Sequence, residues 1–137
     1  MSQTLLIENC MRKNPFTIKR SAPLAQAIDT LIEYKLTGIT VVDNDGKACG
    51  VLSELDCIRA VLSAIYNDGS TGEQLVEDVM TVDVISCEPS DSIIEVAQAM
   101  LDSRQRRRPV IKDGKLVGQV SSANVLWALM EHTRRRG

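Results

Sequence analysis

The chain contains Gly46-Lys47-Ala48-Cys49-Gly50-Val51-Leu52-Ser53 in its first half and Gly114-Lys115-Leu116-Val117-Gly118-Gln119-Val120-Ser121 in its second. Each stretch has a glycine suited to a turn, an apolar segment with a glycine inside it, and a serine at its end. Outward from these stretches the correspondence continues: Thr40-Val41-Val42-Asp43 with Pro109-Val110-Ile111-Lys112, and Leu6-Ile7-Glu8-Asn9-Cys10-Met11 with Leu75-Val76-Glu77-Asp78-Val79-Met80. Such a repeat indicates two similar structural units. We expect a pseudo-twofold axis between them, with two equivalent clefts.

Hydrophobic periodicity predicts the order β-α-β-β-α in each copy. In the first copy, a short strand at 16–18 precedes a helix with apolar residues at helical spacing from Leu24, and Gly38 ends that helix. Residues 39–52 form a hairpin, and a second helix runs from Ser53 to about Tyr66. We expect this second helix to point its large apolar residues at the core: Leu55, Ile58, Leu62 and Ile65.

The second copy repeats this order from a predicted strand at Val84-Ile85-Ser86. The boundaries that follow are repeat 1 at 5–66, a polar linker at 67–73, repeat 2 at 74–132 and a basic tail at 133–137. One unit is too small to cover both faces of its helices, so we expect the two units to pack sheet to sheet. The predicted fold class is α+β.

Composition excludes several classes of protein. A net charge of −2 and a pI near 5.4 give no overall electrostatic case for nucleic acid. No apolar run approaches the roughly 20 residues of a membrane span, and the N-terminus does not resemble a signal peptide. The four cysteines lack the spacing of a zinc or redox pair, so we interpret them as small buried hydrophobes in a reducing cytoplasm. With no nucleophile–base pair, metal cluster or glycine-rich phosphate loop, we do not expect an enzyme.

The ordered motifs resemble a tandem pair of cystathionine-β-synthase (CBS) domains, often called a Bateman module. The residues that carry the resemblance are Met11 and Met80, Gly50 and Gly118, Pro109-Val110, Ser53-x-x-Asp56 and Ser121-x-x-Asn124. The resemblance covers the chain from about Leu5 to His132. It implies a pair that binds adenosine-containing ligands in two clefts, and a dimer of such pairs in a flat disc.

Ser53 and Asp56 lie where a strand enters the N-terminus of a helix. Free backbone N–H groups and the positive end of the helix dipole favour phosphate there, and a carboxylate one turn later can accept both hydroxyls of a ribose. The alternative is that Ser53 caps the helix and Asp56 favours its first turn. In the second copy the same places hold Ser121 and Asn124, and the neutral Asn124 should bind a ribose more weakly than a charged acceptor would.

The resemblance also implies that adenine lies against the first strand of a copy and the start of its hairpin. The residues at those places are Phe16, Thr17, Ile18 and Ile39 for one cleft and Ile85, Ser86 and Arg108 for the other. Backbone N–H and C=O groups there could bind the edge of the adenine.

Arg104-Gln105-Arg106-Arg107-Arg108 is the densest run of charge inside the predicted fold. One interpretation is a solvated helix end, where cations complement the helix dipole. The other is an anion clamp in which Arg107 and Arg108 bind ligand phosphates. The tail at 134–136 favours a disordered, solubilising end over a nucleic-acid contact.

The function predicted from the sequence is a cytoplasmic regulatory module with no covalent cofactor. It would bind AMP, ADP, ATP, S-adenosylmethionine or NAD, and occupancy would alter the packing of a homodimer. Because no catalytic, transporter or channel sequence is fused to the repeats, we expect an effector protein to respond to that change. The alternative is a nucleic-acid or protein adaptor that uses the 104–108 arginine run and the basic tail.

Overall fold

The computed structural model describes residues 5–67 and 74–136, without the side chain of Arg136. The predicted linker at 67–73 lies outside these ranges, except for Asn67. A 3-10 helix, Ile7–Asn9, precedes the strands and α-helices. These are β1 (Thr17–Lys19), α1 (Leu24–Glu33), β2 (Gly38–Val42), β3 (Ala48–Ser53), α2 (Glu54–Tyr66), α3 (Val76–Val79), α4 (Ile93–Ser103), β4 (Arg107–Lys112), β5 (Lys115–Ser121) and α5 (Ser122–Arg136). The α+β class and the two repeats of strands with helices are confirmed.

The chain forms two compact units whose limits differ from those of the sequence repeats. The first unit is Phe16–Val84, and the second unit joins Met1–Pro15 to Ile85–Gly137. Each unit therefore contains the strands and long helices of one repeat together with the leading segment of the other. The boundaries at 5–66 and 74–132 remain predictions about the sequence repeat, and the packing units have different limits.

A methionine and a glycine hold each leading segment against a hairpin. In the first unit, a Cβ built on Gly50 would lie 2.6 Å from Sδ of Met80, and in the second unit a Cβ on Gly118 would lie 2.6 Å from Sδ of Met11. Next to each methionine, the backbone forms an antiparallel bridge to the hairpin, at Thr81 in the first unit. The repeated methionines and glycines are thus the two sides of one close contact.

The first unit has a three-stranded sheet in the order β1-β2-β3. β1 runs parallel to β2, and β2 is antiparallel to β3. Val41 and Leu52 of this sheet form a buried cluster with Leu24 and Val76, and all four side chains are fully buried. Burial of large aliphatic side chains of this kind is the main source of stability in such a core.

The second unit has a two-stranded sheet, β4-β5, and the predicted strand at Val84-Ile85-Ser86 is wrong. Ile85 and Ser86 are exposed, and only Cys87 pairs with the hairpin, through a single parallel bridge to Val110. Cys87 is the buried residue of this segment, so the pairing occurs where burial holds the chain against β4. Pro89, two residues later, has no N–H to extend a ladder.

The predicted inward face of α2 is also wrong. The helix buries Asp56, Cys57 and Ala60. The large apolar residues are exposed instead: Leu55, Ile58, Leu62 and Ile65. Small side chains on the buried face let the helix axis approach the sheet closely, and the larger residues then form an apolar stripe on the opposite face. In the second unit, Leu101 and Leu126 are likewise exposed.

Helix α5 continues beyond the predicted boundary at 132 and ends at Arg136. Arg134 and Arg135 are therefore helical, and the disordered tail that we expected is not seen up to that residue. An ion pair of 3.3 Å between Arg134 and Glu131, one turn apart, accompanies this extension.

Candidate functional site

The start of α2 is organised by a reciprocal pair of hydrogen bonds. The backbone N–H of Asp56 donates to Oγ of Ser53 at 3.1 Å, and the backbone N–H of Ser53 donates to Oδ2 of Asp56 at 3.0 Å. This is a capping box, which satisfies backbone donors at the end of a helix. Ser53 and Asp56 therefore cap the helix, as one of the two interpretations of the sequence predicted. The capping also determines where the Asp56 carboxylate lies.

The Asp56 side chain has two further contacts, although the residue is only 9% exposed. The Thr81 hydroxyl donates to Oδ2 at 3.5 Å, and Nη1 of Arg59 lies 3.4 Å from Oδ1. The partner of Oδ1 is therefore a solvent-facing cation, because 77% of the Arg59 side chain is exposed. Oδ1 is therefore the oxygen with the most capacity to accept additional hydroxyl groups.

The other residues predicted for the first site belong to the same unit and differ in accessibility. Ile18 and Ile39 belong to the buried core, so any contact that they make with a ligand would be through the backbone. Thr17 is exposed on β1. Phe16 is half-buried, and its ring centroid lies 4.5 Å from that of Tyr34.

The start of α5 repeats the capping geometry without the charge. The backbone N–H of Asn124 donates to Oγ of Ser121 at 3.1 Å, and the N–H of Ser121 donates to Oδ1 of Asn124 at 3.0 Å. The side-chain amide of Asn124 can still donate through Nδ2. One turn later, Trp127 occupies the position that Arg59 has in α2, and it is exposed.

Arg107 lies beside this helix start. It pairs directly with Ser121 across the β4-β5 ladder, and residues directly opposite each other project from the same face of a sheet. In the first unit the corresponding partner of Ser53 is Gly38, which has no side chain. Among the residues that the structure describes, no acidic group forms an ion pair with Arg107, so its charge is available to an anion.

Arg108 projects from the opposite face of β4, because neighbouring residues of a strand alternate. It is 8% exposed, and its Nε donates to Oε1 of Gln105 at 2.9 Å. Gln105 in turn donates from Nε2 to the carbonyl oxygen of Ile85 at 3.4 Å. The structure thus brings Arg108 and Ile85 together through Gln105, and it separates Arg108 from the side of β4 on which Ser121 lies.

Three residues of these sites were not identified from the sequence: Arg59, Thr81 and Gln105. Arg59 could have been found, since it follows Asp56 at the i, i+3 spacing of helical ion pairs. Thr81 has no local signal, because 25 residues separate it from Asp56 along the chain.

The four cysteines are free, and none has the environment of a nucleophile. Burial raises the pKa of the Cys87 thiol to about 12, and it also raises the pKa of Cys10, Cys49 and Cys57. A raised pKa keeps a thiol protonated and unreactive at neutral pH. Within residues 5–67 and 74–136, the structure shows no cluster of three potential metal ligands and no helix able to cross a membrane.

The family model for the CBS domain matches residues 7–63 and 76–131. The chloroplastic CBS domain-containing protein CBSX1 of Arabidopsis thaliana is 27% identical over an aligned region that covers 85% of this chain and 60% of CBSX1. The gamma-3 subunit of human 5'-AMP-activated protein kinase is 28% identical over 117 residues, covering 82% of this chain and 24% of the subunit. This chain therefore spans only part of the length of both relatives.

A solved structure shares the fold over nearly the whole chain. The crystal structure of CBSX2 in complex with AMP superposes with a TM-score of 0.80 at 27% sequence identity. The match covers 93% of this chain and 98% of the CBSX2 chain.

Proposed function

Because the chain belongs to the CBS-domain family, we propose that it is a regulatory module that binds adenosine-containing ligands at the starts of α2 and α5. A CBS-pair structure with 27% sequence identity contains AMP, which supports an adenosine ligand. The gamma-3 relative is a subunit of a protein kinase, which supports a role alongside a partner protein. We propose no catalytic activity and no covalent cofactor.

The observation that carries the proposal is the position of the Asp56 carboxylate. Its Oδ2 is held by the Ser53 backbone, and its Oδ1 faces an exposed cation. A ribose can donate its two hydroxyls to such a carboxylate, and charge strengthens both bonds. A phosphate on the same nucleoside would lie against the N–H groups at the start of α2, where the helix dipole is positive.

The second site combines different chemistry around the same geometry. Asn124 can bind a ribose without charge, while Arg107 adds a cation beside Ser121 that the first unit lacks. A guanidinium can form two hydrogen bonds to one phosphate. We therefore propose that the second site depends more on the phosphates of its ligand, and the first site more on the ribose.

We also propose a homodimer, with an effector protein that responds to ligand occupancy. An apolar groove of about 300 Å³ lies between α1 and α2 in the first unit, bordered by Ile28, Ile32 and Ile58. Exposed apolar surface of this kind is typical of protein interfaces. The free cysteines support our proposal of a reducing, cytoplasmic location.

The structure does not favour the alternative function as a nucleic-acid adaptor. Arg108 is buried and Arg107 half-buried, so the arginine run does not form a continuous exposed surface. In the tail, Arg134 is already paired with Glu131.

A thermal-shift experiment tests the proposal. AMP, ADP, ATP, NAD and S-adenosylmethionine are added at millimolar concentration, and at least one should raise the melting temperature. A ligand at about 100 times its dissociation constant contributes about 2.7 kcal/mol, which shifts the midpoint of a domain of this size by several degrees. The control is a comparison of adenosine with 2′,3′-dideoxyadenosine, which keeps the base but lacks the 2′- and 3′-hydroxyls of the ribose and should bind far less. A midpoint that none of the five compounds moves would disprove the proposed function.

A further inference from the structure

We propose that Arg59 determines the charge specificity of the first site, by acting as an exchangeable counter-ion on Asp56 that favours anionic adenosine ligands over neutral ones. The inference rests on the proposed function, since it concerns how the same site selects among adenosine compounds. It adds a residue outside the capping box and outside the family motif on which the resemblance rests.

The contacts of Arg59 distinguish it from a structural residue. Its ion pair with Asp56 is 3.4 Å long and joins a side chain that is 77% exposed to one that is 12% exposed. Helical side chains lean toward the N-terminus, so the guanidinium lies over the first turn of α2, where the ligand phosphate is proposed to bind. Because Arg59 is so exposed, it can move from Oδ1 when a ribose hydroxyl takes that oxygen, at little cost in packing.

The second unit provides an internal comparison. There Asn124 replaces Asp56 and Trp127 replaces Arg59, so both members of the charged pair are neutral together. The capping bonds have the same lengths in both units. The bond from the serine N–H is 3.0 Å long, and the bond to the serine Oγ is 3.1 Å long. The ion pair is therefore not needed to form the cap, which leaves its charge free for another role.

The effect of Arg59 on a ligand should depend on the ligand's charge. Its own positive charge lies within a Debye length of a phosphate at the helix start, and each negative charge on the ligand gains from that proximity. Adenosine gains nothing from the cation and must displace it from Oδ1. At a separation of about 8 Å in water, each negative charge on the ligand is worth roughly a twofold change in affinity, so removing the cation should weaken AMP about fivefold and ATP more than AMP, and change adenosine by less than about twofold.

Titration calorimetry of the full chain with adenosine, AMP and ATP, at low and high salt, tests this inference. In Arg59→Met, AMP and ATP should bind more weakly than to the wild type in the order of their charges, and salt should reduce the difference. Adenosine should bind as well as before or better. The matched control is Arg134→Met, which removes an arginine from a similar exposed ion pair of 3.3 Å outside the site and should change none of the three affinities.

The outcomes separate this inference from the proposed function. If the wild type binds none of the three compounds, the inference fails, and the proposed function stands only if ADP, NAD or S-adenosylmethionine raises the melting temperature. If the wild type binds and Arg59→Met weakens adenosine, AMP and ATP by one common factor, or changes none of them, Arg59 is structural and the inference is wrong while the proposed function stands.

A second variant, Asp56→Asn, should also be compared with and without Arg59→Met. The Met substitution should no longer improve adenosine binding in that background, because Arg59 has no carboxylate to cover.

Discussion

Asp56 and Asn124 differ by a single charge at equivalent positions of two nearly identical helix caps. Both side chains accept from the backbone N–H of the serine three residues earlier, at 3.0 Å. The caps themselves therefore do not discriminate between acid and amide. What differs is the remaining capacity: Asp56 keeps a carboxylate oxygen for hydroxyl donors, whereas Asn124 keeps an amide that donates.

This difference predicts which ligands each single substitution weakens most. Asp56→Ala should weaken adenosine and AMP most, because it removes the charged acceptor for the ribose. Arg107→Ala should weaken ADP and ATP most, because it removes the cation beside Ser121. Hydrogen bonds to charged groups are worth about 1.5–3 kcal/mol, so each loss should be about tenfold or more by titration calorimetry.

Two further variants serve as controls for that comparison. Asp56→Asn keeps the cap, as Asn124 demonstrates, and separates loss of charge from loss of helix stability. Arg108→Ala removes an arginine from the other face of β4 and should affect ADP and ATP less than Arg107→Ala does. Equal losses for AMP and ATP in every variant would show that the two sites do not divide the ligands in this way.

At the scale of secondary-structure elements, the leading segments are the least expected part of the fold. Each one docks through a methionine that fills the space over a glycine in a hairpin strand. Interiors are close-packed, so an added methyl group at that place must displace sulfur and backbone atoms together. The same contact occurs in both units, at Gly50 and Gly118.

We therefore expect Gly118→Ala to destabilise the protein by about 1–3 kcal/mol, as overpacking of a core does. The added Cβ would lie 2.6 Å from Sδ of Met11 and 3.0 Å from the carbonyl oxygen of Arg12. Urea unfolding followed by circular dichroism measures the change. Gly38→Ala is the matched control, since its nearest contact would be an ordinary 3.4 Å and its effect should be clearly smaller. Identical unfolding midpoints for Gly118→Ala and the wild type would contradict this account of the docking.

At the scale of the whole molecule, the exposed apolar stripe on α2 is the feature that most strongly indicates contact with another protein surface. Its four large side chains lie on one face of a single helix, beside the groove that α1 borders: Leu55, Ile58, Leu62 and Ile65. A second copy of the chain is the simplest cover, because closed twofold assemblies are the commonest oligomers.

We expect a homodimer in solution, with the α2 stripe in its interface. Multi-angle light scattering at tens of micromolar should give twice the chain mass, in the range where even weak dimers still form. Ile58→Glu should shift the protein toward monomer, since it places a charge in the interface and leaves the buried core untouched. Ser63→Glu, exposed on the same helix, should not. A monomeric wild type at these concentrations would count against the dimer, and a dimer that Ile58→Glu leaves intact would count against the α2 stripe as its interface.

The repeat, the caps of α2 and α5, and the order of strands and helices apart from the strand expected at 84–86 could be predicted from the sequence, because each depends on residues a few positions apart. Turn glycines, apolar periodicity and the Ser53-x-x-Asp56 spacing are local signals, and the structure places the cap where they indicate. The family resemblance rests on the same local motifs, which is why it could be recognised before any tertiary contact was known.

Other features depended on contacts between distant parts of the chain. The periodicity of α2 showed that it is a helix but not which face is buried; Cys57 and Ala60 face the core because small side chains fit closest to the sheet. Each leading segment packs against the hairpin of the other repeat, because its methionine fits over the glycine there. Arg107 and Arg108 are neighbours in sequence, but their side chains project from opposite faces of β4. The register of pairing with β5 determines that Arg107 lies beside Ser121. In each case the local chain permits more than one arrangement, and the free energy of packing against a remote segment selects among them.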